Sequence, residues 1–149
     1  MYNIYEGCVN MKKISLGVIV LALACLLVTG CGSKKHEAVT MYEFYGSTCP
    51  HCMELNEWIE NDLMKDSKYN KKVKIEKLEV WGSQDNAKLM QDVGAELGVE
   101  ARGVPFIVIG NQSTSGFSSV TTPGEIKKMI DKAYNDSKYK DVVAEVKNK

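Results

Sequence analysis

The sequence predicts a small α/β domain, with a central four-stranded mixed sheet flanked by helices in the order β-α-β-α-β-β-α. Three observations predict it. Short runs rich in β-branched and aromatic residues alternate with longer segments whose apolar positions recur at helical spacing. The segments joining the first three strands are each long enough for a single helix, which is the pattern of layered α/β folds. The chain has 149 residues, 44% of them hydrophobic and 26% charged. That is ordinary for one globular domain and unlike a disordered chain.

The first strand is Val39 to Tyr45 (VTMYEFY). Gly46, Ser47 and Thr48 break it. A helix is expected from Pro50 to about residue 65, with Met53, Leu55, Trp58, Ile59, Leu63 and Met64 on its apolar face. Pro50 suits its first turn, where a missing N–H costs nothing. A second strand covers residues 73–80 (VKIEKLEV), with Lys71, Lys72, Lys74 and Lys77 on a solvated face. A second helix covers residues 85–97, with Ala87, Leu89, Met90, Val93 and Leu97 inward and Gly98 as its stop. FIVI, residues 106–109, is a short buried strand. Residues 110–113 form a turn, and residues 115–117 a short edge strand. A third helix begins at Thr122, with Pro123 in its first turn and a Thr122/Glu125 capping box. Ile126, Met129, Ile130, Ala133 and Tyr134 line its inner face, and residues 139–146 add a further helical stretch. Strands joined through a helix are expected to be parallel, with a right-handed crossover.

The N-terminal part is of another kind. Lys12 and Lys13 precede residues 14–28 (ISLGVIVLALACLLV), an almost wholly apolar run. A bilayer span needs about 20 such residues. A basic start, a short apolar core and small residues at its end make a secretory signal over residues 1–30. Residues 1–10 fit that pattern poorly, and Met11 stands as an alternative start; Cys8 then has no role. The end, Leu27-Val28-Thr29-Gly30-Cys31-Gly32, resembles a bacterial lipoprotein box. The resemblance implies lipid on Cys31, a polar tether over residues 31–38, and a domain over residues 39–149. That domain is expected on the extracytoplasmic face of the cell membrane, held there by its lipid. An uncleaved membrane anchor is the competing interpretation.

Five cysteines are present. Cys8 and Cys25 fall in the part removed, and Cys31 is matched to lipid. Cys49 and Cys52 remain, in STCPHC, where the first strand hands over to the first helix. A thiol pair outside the cytoplasm is expected to cycle with a disulfide. Cys49 stands at a helix N-terminus, where free N–H groups and the macrodipole favour an anion. Cys52 follows about one turn later, with its sulfur able to face Cys49. His51, if protonated, adds positive charge. Stabilising the thiolate stabilises the reduced form and makes the couple oxidising. Zinc or copper could use the pair, but structural zinc takes four ligands. Only His36 and His51 are left to add. A purely structural disulfide would close too small a loop to remove much chain entropy. Lys plus Arg equals Asp plus Glu at 19 each, so no nucleic-acid partner is expected.

MYEFYGSTCPHC before a helix, with GVPFIVIG later, resembles the thioredoxin superfamily, and the CPHC choice resembles its DsbA branch. The resemblance runs from about Val39 to Tyr134. It implies a minimal thioredoxin-like fold, without the helical insertion of the DsbA branch and without the extra N-terminal strand and helix of thioredoxin. It implies a thiol–disulfide oxidoreductase whose nucleophile is Cys49 and whose resolving thiol is Cys52. Glu43 would help move the Cys52 proton. Val104 and Pro105 would form a cis-proline loop beside Cys49 that binds substrate backbone. No cofactor is expected beyond the Cys49–Cys52 disulfide. Expected partners are exported protein thiols and disulfides and a recycling redox partner, with the chain itself a monomer. The oxidase or isomerase direction is slightly favoured over reductase. The alternative class is a non-catalytic binding, chaperone or metal-handling module of a secretion or bacteriocin maturation system.

Overall fold

A computed structural model describes residues 38–149. The expected signal segment, Cys31, His36 and the expected tether up to residue 37 lie outside the described residues. The domain is α/β, with a four-stranded mixed sheet between helices, consistent with a minimal thioredoxin-like arrangement. Its elements are β1 (Val39–Tyr45), α1 (Pro50–Trp58), β2 (Val73–Glu79), α2 (Gln84–Leu97), β3 (Phe106–Ile109), β4 (Gln112–Ser115), α3 (Thr122–Asn135) and α4 (Val142–Lys147).

The sheet order is β2-β1-β3-β4. β1 is parallel to β2, as a helical crossover requires. β3 departs from the parallel expectation and runs antiparallel to β1. Glu79 lies opposite Tyr45 and Phe106 opposite Phe44, so β2 ends and β3 begins at the same end of the sheet. The chain leaves through α2 and returns to that end, and β3 must then run back along β1.

β1 and β3 are the inner strands and are buried on both faces. The two-residue period sends alternate side chains to opposite faces. Val39, Met41, Ile107 and Ile109 pack with Leu55, Ile59 and Leu63 after β1 and with Ile126 and Ile130 of α3. Tyr42, Phe44, Phe106 and Val108 pack with Met90 and Val93 of α2 and with Val142 and Val143 of α4. Each large apolar side chain so buried contributes about 1.5–3 kcal/mol. The edges are polar: β4 reads QSTS and β2 carries Lys74 and Lys77. Charge on an edge discourages pairing with other chains.

Several boundaries differ from expectation. α1 ends at Trp58 and continues as a π-helical turn, Ile59–Leu63, closed by Met64 N–H to the Ile59 carbonyl at 2.9 Å. Its inner face is Cys52, Leu55, Ile59 and Leu63. Met53 is 57% exposed, because the buried cysteine takes the inward position beside it. The turn after β3 is shorter than expected, and β4 pairs from Gln112. The capping box does not form. Thr121 is the N-cap of α3, the Thr122 hydroxyl accepts from Ser118 N–H at 2.9 Å, and Glu125 accepts from the Thr114 hydroxyl at 3.2 Å. Lys72 is not simply solvated: its ammonium lies 2.6 Å from Asp131 and over the rings of Tyr69 and Tyr134. α2 stops at Gly98 in the left-handed region (φ 68°), where glycine has no steric penalty.

Candidate functional site

The site is assembled at the end of β1 shared by the start of α1 and the start of β3. Cys49 is the N-cap of α1, with extended backbone (φ −76°, ψ 116°), and Pro50 follows inside the first turn. The Cys52 N–H points at the Cys49 sulfur at 3.3 Å. The same N–H also lies 3.1 Å from the Cys49 carbonyl, so this first-turn donor is shared between the two acceptors. The Cys49 N–H is tied to the Gly46 carbonyl at 3.1 Å.

The Val104–Pro105 peptide bond is cis. The Val104 carbonyl accepts a hydrogen bond from the Cys49 thiol at 3.6 Å. Pro105 is buried and Val104 half-buried, with Gly116 N–H on the Pro105 carbonyl at 2.8 Å. Residues 49, 52, 104 and 105, expected together, are therefore in one place. Both cysteines are free thiols, Cys49 5% and Cys52 1% exposed. Burial pushes the Cys52 thiol up to about 12, helped by its hydrogen bond with Cys49 and by the Cys49 and Glu43 charges, against a downward pull from the Gly46 backbone.

Glu43 shares the sheet face of Val39 and Met41, beneath α1, and is fully buried. Its Oε1 accepts from Asn56 Nδ2 at 3.4 Å, and its Oε2 has no hydrogen-bond partner among the described residues. Loss of solvent pushes its carboxyl up to about 7, against a smaller downward pull from Lys77, its register partner on β2. A buried carboxyl poised near neutrality suits proton transfer. His51 is exposed, and its Nδ1 lies 3.7 Å from Glu54 Oε2 on the next turn. A protonated imidazole would thus sit against a carboxylate rather than stand alone beside Cys49.

Three features escaped sequence reading. Asn56 lies one turn after Cys52, and its Nδ2 also donates to the Cys52 carbonyl at 2.8 Å. Its only signal was a polar residue four positions beyond Cys52. Glu79 accepts from the N–H groups of Trp81 at 3.0 Å and Gly82 at 2.7 Å. These bonds, with others from Ser47 and Ser83, hold its carboxyl below the usual range and join the β2–α2 loop to the residues before Cys49. The exposed Trp81 ring lies across Gly46: a Cβ there would stand 2.2 Å from Trp81 Cε2. Nothing in the local sequence linked those two positions.

Among the described residues no group of three or more His, Cys, Asp and Glu side chains could hold a metal ion. No helix among them is long and apolar enough to cross a membrane. Comparison of the chain with protein-family models, with curated proteins and with solved structures finds no match in any of the three.

Proposed function

We propose that the chain is a lipid-tethered, extracytoplasmic thiol–disulfide oxidoreductase of the thioredoxin superfamily, exchanging disulfides with exported proteins through Cys49 and Cys52. The observation that carries this reading is the setting of Cys49. Its sulfur caps a helix, receives the Cys52 N–H, and lies against the carbonyl of a cis-proline loop. Cys52 and an uncompensated carboxyl are buried behind it.

In the oxidising direction, a substrate thiolate attacks Cys49 of the Cys49–Cys52 disulfide. The S–S bond breaks, a mixed disulfide forms on Cys49, and Cys52 leaves as a thiolate. A second substrate thiolate then displaces Cys49, and the substrate departs oxidised with the protein dithiol reduced. In the reducing direction Cys52 resolves the mixed disulfide. A thiol pushed up to about 12 needs a base. The Glu43 carboxylate takes its proton, the Cys52 thiolate attacks Cys49 Sγ, the Cys49–Cys52 bond forms, and the partner leaves as a thiolate. The polar backbone of the 104–105 loop would hold the incoming chain.

Insulin reduction and scrambled-ribonuclease refolding test the reading, using the full chain and its Cys49→Ala and Cys52→Ala variants. Activity in the wild type that both variants lose supports it. A wild type inert in both assays overturns it. The potential of the couple then sets the direction: about −120 mV marks an oxidant and about −270 mV a reductant.

A further inference from the structure

We propose that Asn56 is a positioning residue of the disulfide-exchange centre, its amide clamping the resolving cysteine's turn and the Glu43 carboxyl in one geometry. The inference rests on the exchange reading above and assigns a residue that the reading does not use.

The orientation of the amide follows from chemistry. One end of it lies 2.8 Å from the Cys52 carbonyl, which can only accept. That end must be the NH₂ group. Its two hydrogens meet two acceptors, the Cys52 carbonyl and Glu43 Oε1 at 3.4 Å. The donor capacity is thereby used up. The other end, Asn56 Oδ1, is buried without a hydrogen-bond partner among the described residues. Glu43 Oε2 is buried in the same condition. One carboxyl oxygen is thus held by the amide, and the other is left to take a proton. Leaving two buried acceptors unmatched is costly.

The remaining groups facing Glu43 make the amide's part clear. β2 presents Lys77, in register with Glu43 and pulling it toward ionisation. α1 presents Cys52, whose thiol feels the Glu43 charge. β3 places the apolar Ile107 opposite. α3 contributes apolar Ile126 and Ile130 to the core of that face. Asn56 is therefore the one side-chain donor hydrogen-bonded to Glu43 among the described residues. A donor to a carboxylate favours the charged form. Removing it while keeping the site buried must make Glu43 hold its proton more tightly. The base then becomes competent only at higher pH.

The test uses the full chain, wild type, Asn56→Leu and Asn56→Ala, each checked for native circular dichroism. Leu keeps the branched shape of Asn, is bulkier and lacks its donor; Ala serves where Leu does not fold. Two readouts are taken on each. Carboxyl-carbon NMR follows the Glu43 titration in the reduced protein. Release of glutathione from a Cys49–glutathione mixed disulfide follows resolution by Cys52. In that step the Cys52 proton passes to Glu43, the Cys49–Cys52 bond forms, and the Cys49–glutathione bond breaks, with the cysteines oxidised and glutathione reduced. The expected result is a Glu43 midpoint shifted upward in the variants relative to wild type, the direction set by loss of the amide donor. The inflection of the release rate should shift with it, while alkylation of Cys49 in the dithiol keeps its wild-type rate. Folded variants with an unchanged Glu43 midpoint overturn the positioning role and leave the exchange reading standing. A wild type that releases no glutathione at any pH overturns the exchange reading, and the role of Asn56 in it, whatever Glu43 does.

Discussion

Replacing Glu43 with Gln isolates the cost of keeping an acid under α1. Glu43 is fully buried, and its carboxyl is pushed from 4.5 up to about 7, first by loss of solvent. The native state therefore binds this proton more tightly than the unfolded chain does. The stability that Glu43 contributes is complete below about 4.5, falls as pH rises, and is gone above about 7. At about 1.36 kcal/mol per pH unit, the loss is about 3 kcal/mol. Gln keeps the shape and an acceptor for Asn56 but carries no charge. Its buried NH₂ group, if unpartnered, costs about 1–3 kcal/mol at every pH and adds no slope. The assay is urea denaturation of the reduced full chain and of Glu43→Gln from pH 4.5 to 8. Every other titrating group is common to both proteins and cancels in the difference. That difference should move in favour of the variant by about 3 kcal/mol across the window, or roughly 10 °C in melting temperature. A difference that stays flat with pH would refute the reasoning, since it would mean that Glu43 ionises inside the protein as readily as outside it.

Other perturbations test the frame around the site. Cys52→Ala should accumulate a mixed disulfide when its Cys49 thiolate attacks a substrate disulfide and one substrate thiolate leaves, visible by mass spectrometry, whereas Cys49→Ala should accumulate none. Gly46→Ala drives a methyl group against the Trp81 ring and should destabilise by about 1–3 kcal/mol, with a change in Trp fluorescence. Asp141 caps α4 through Ala144 N–H at 3.0 Å and accepts from the buried Tyr42 hydroxyl at 3.0 Å. Asp141→Ala should cost about 1–3 kcal/mol by chemical denaturation, and Asp141→Asn, which can still cap, clearly less.

The parts legible in the sequence are those whose cause is local. CPHC after a strand marks a helix start because Pro50 and a capping side chain act within one turn. FIVI reads as a buried strand because it is apolar throughout, and β3 occupies those four residues. Gly98 reads as a stop because only its own backbone is at issue. The capping box failed for the complementary reason. Its two residues have the right spacing, but Thr122 and Glu125 found partners on Ser118 and Thr114, outside the helix. Local propensity lost to tertiary hydrogen bonds.

Glu43 shows where the boundary lies. Strand alternation alone puts it on the face of Val39 and Met41, but which face α1 covers is a fact of topology. Once α1 lies there, a carboxyl in that row must be buried, and burial alone moves its proton affinity toward neutrality. Asn56 then follows as a consequence that only three dimensions display. It is an unremarked polar residue on a helix until Glu43 arrives from a strand thirteen residues earlier and takes its second hydrogen. A cysteine pair can be found by spacing, whereas the buried polar groups packed behind it are found only when the sheet is laid beneath the helix.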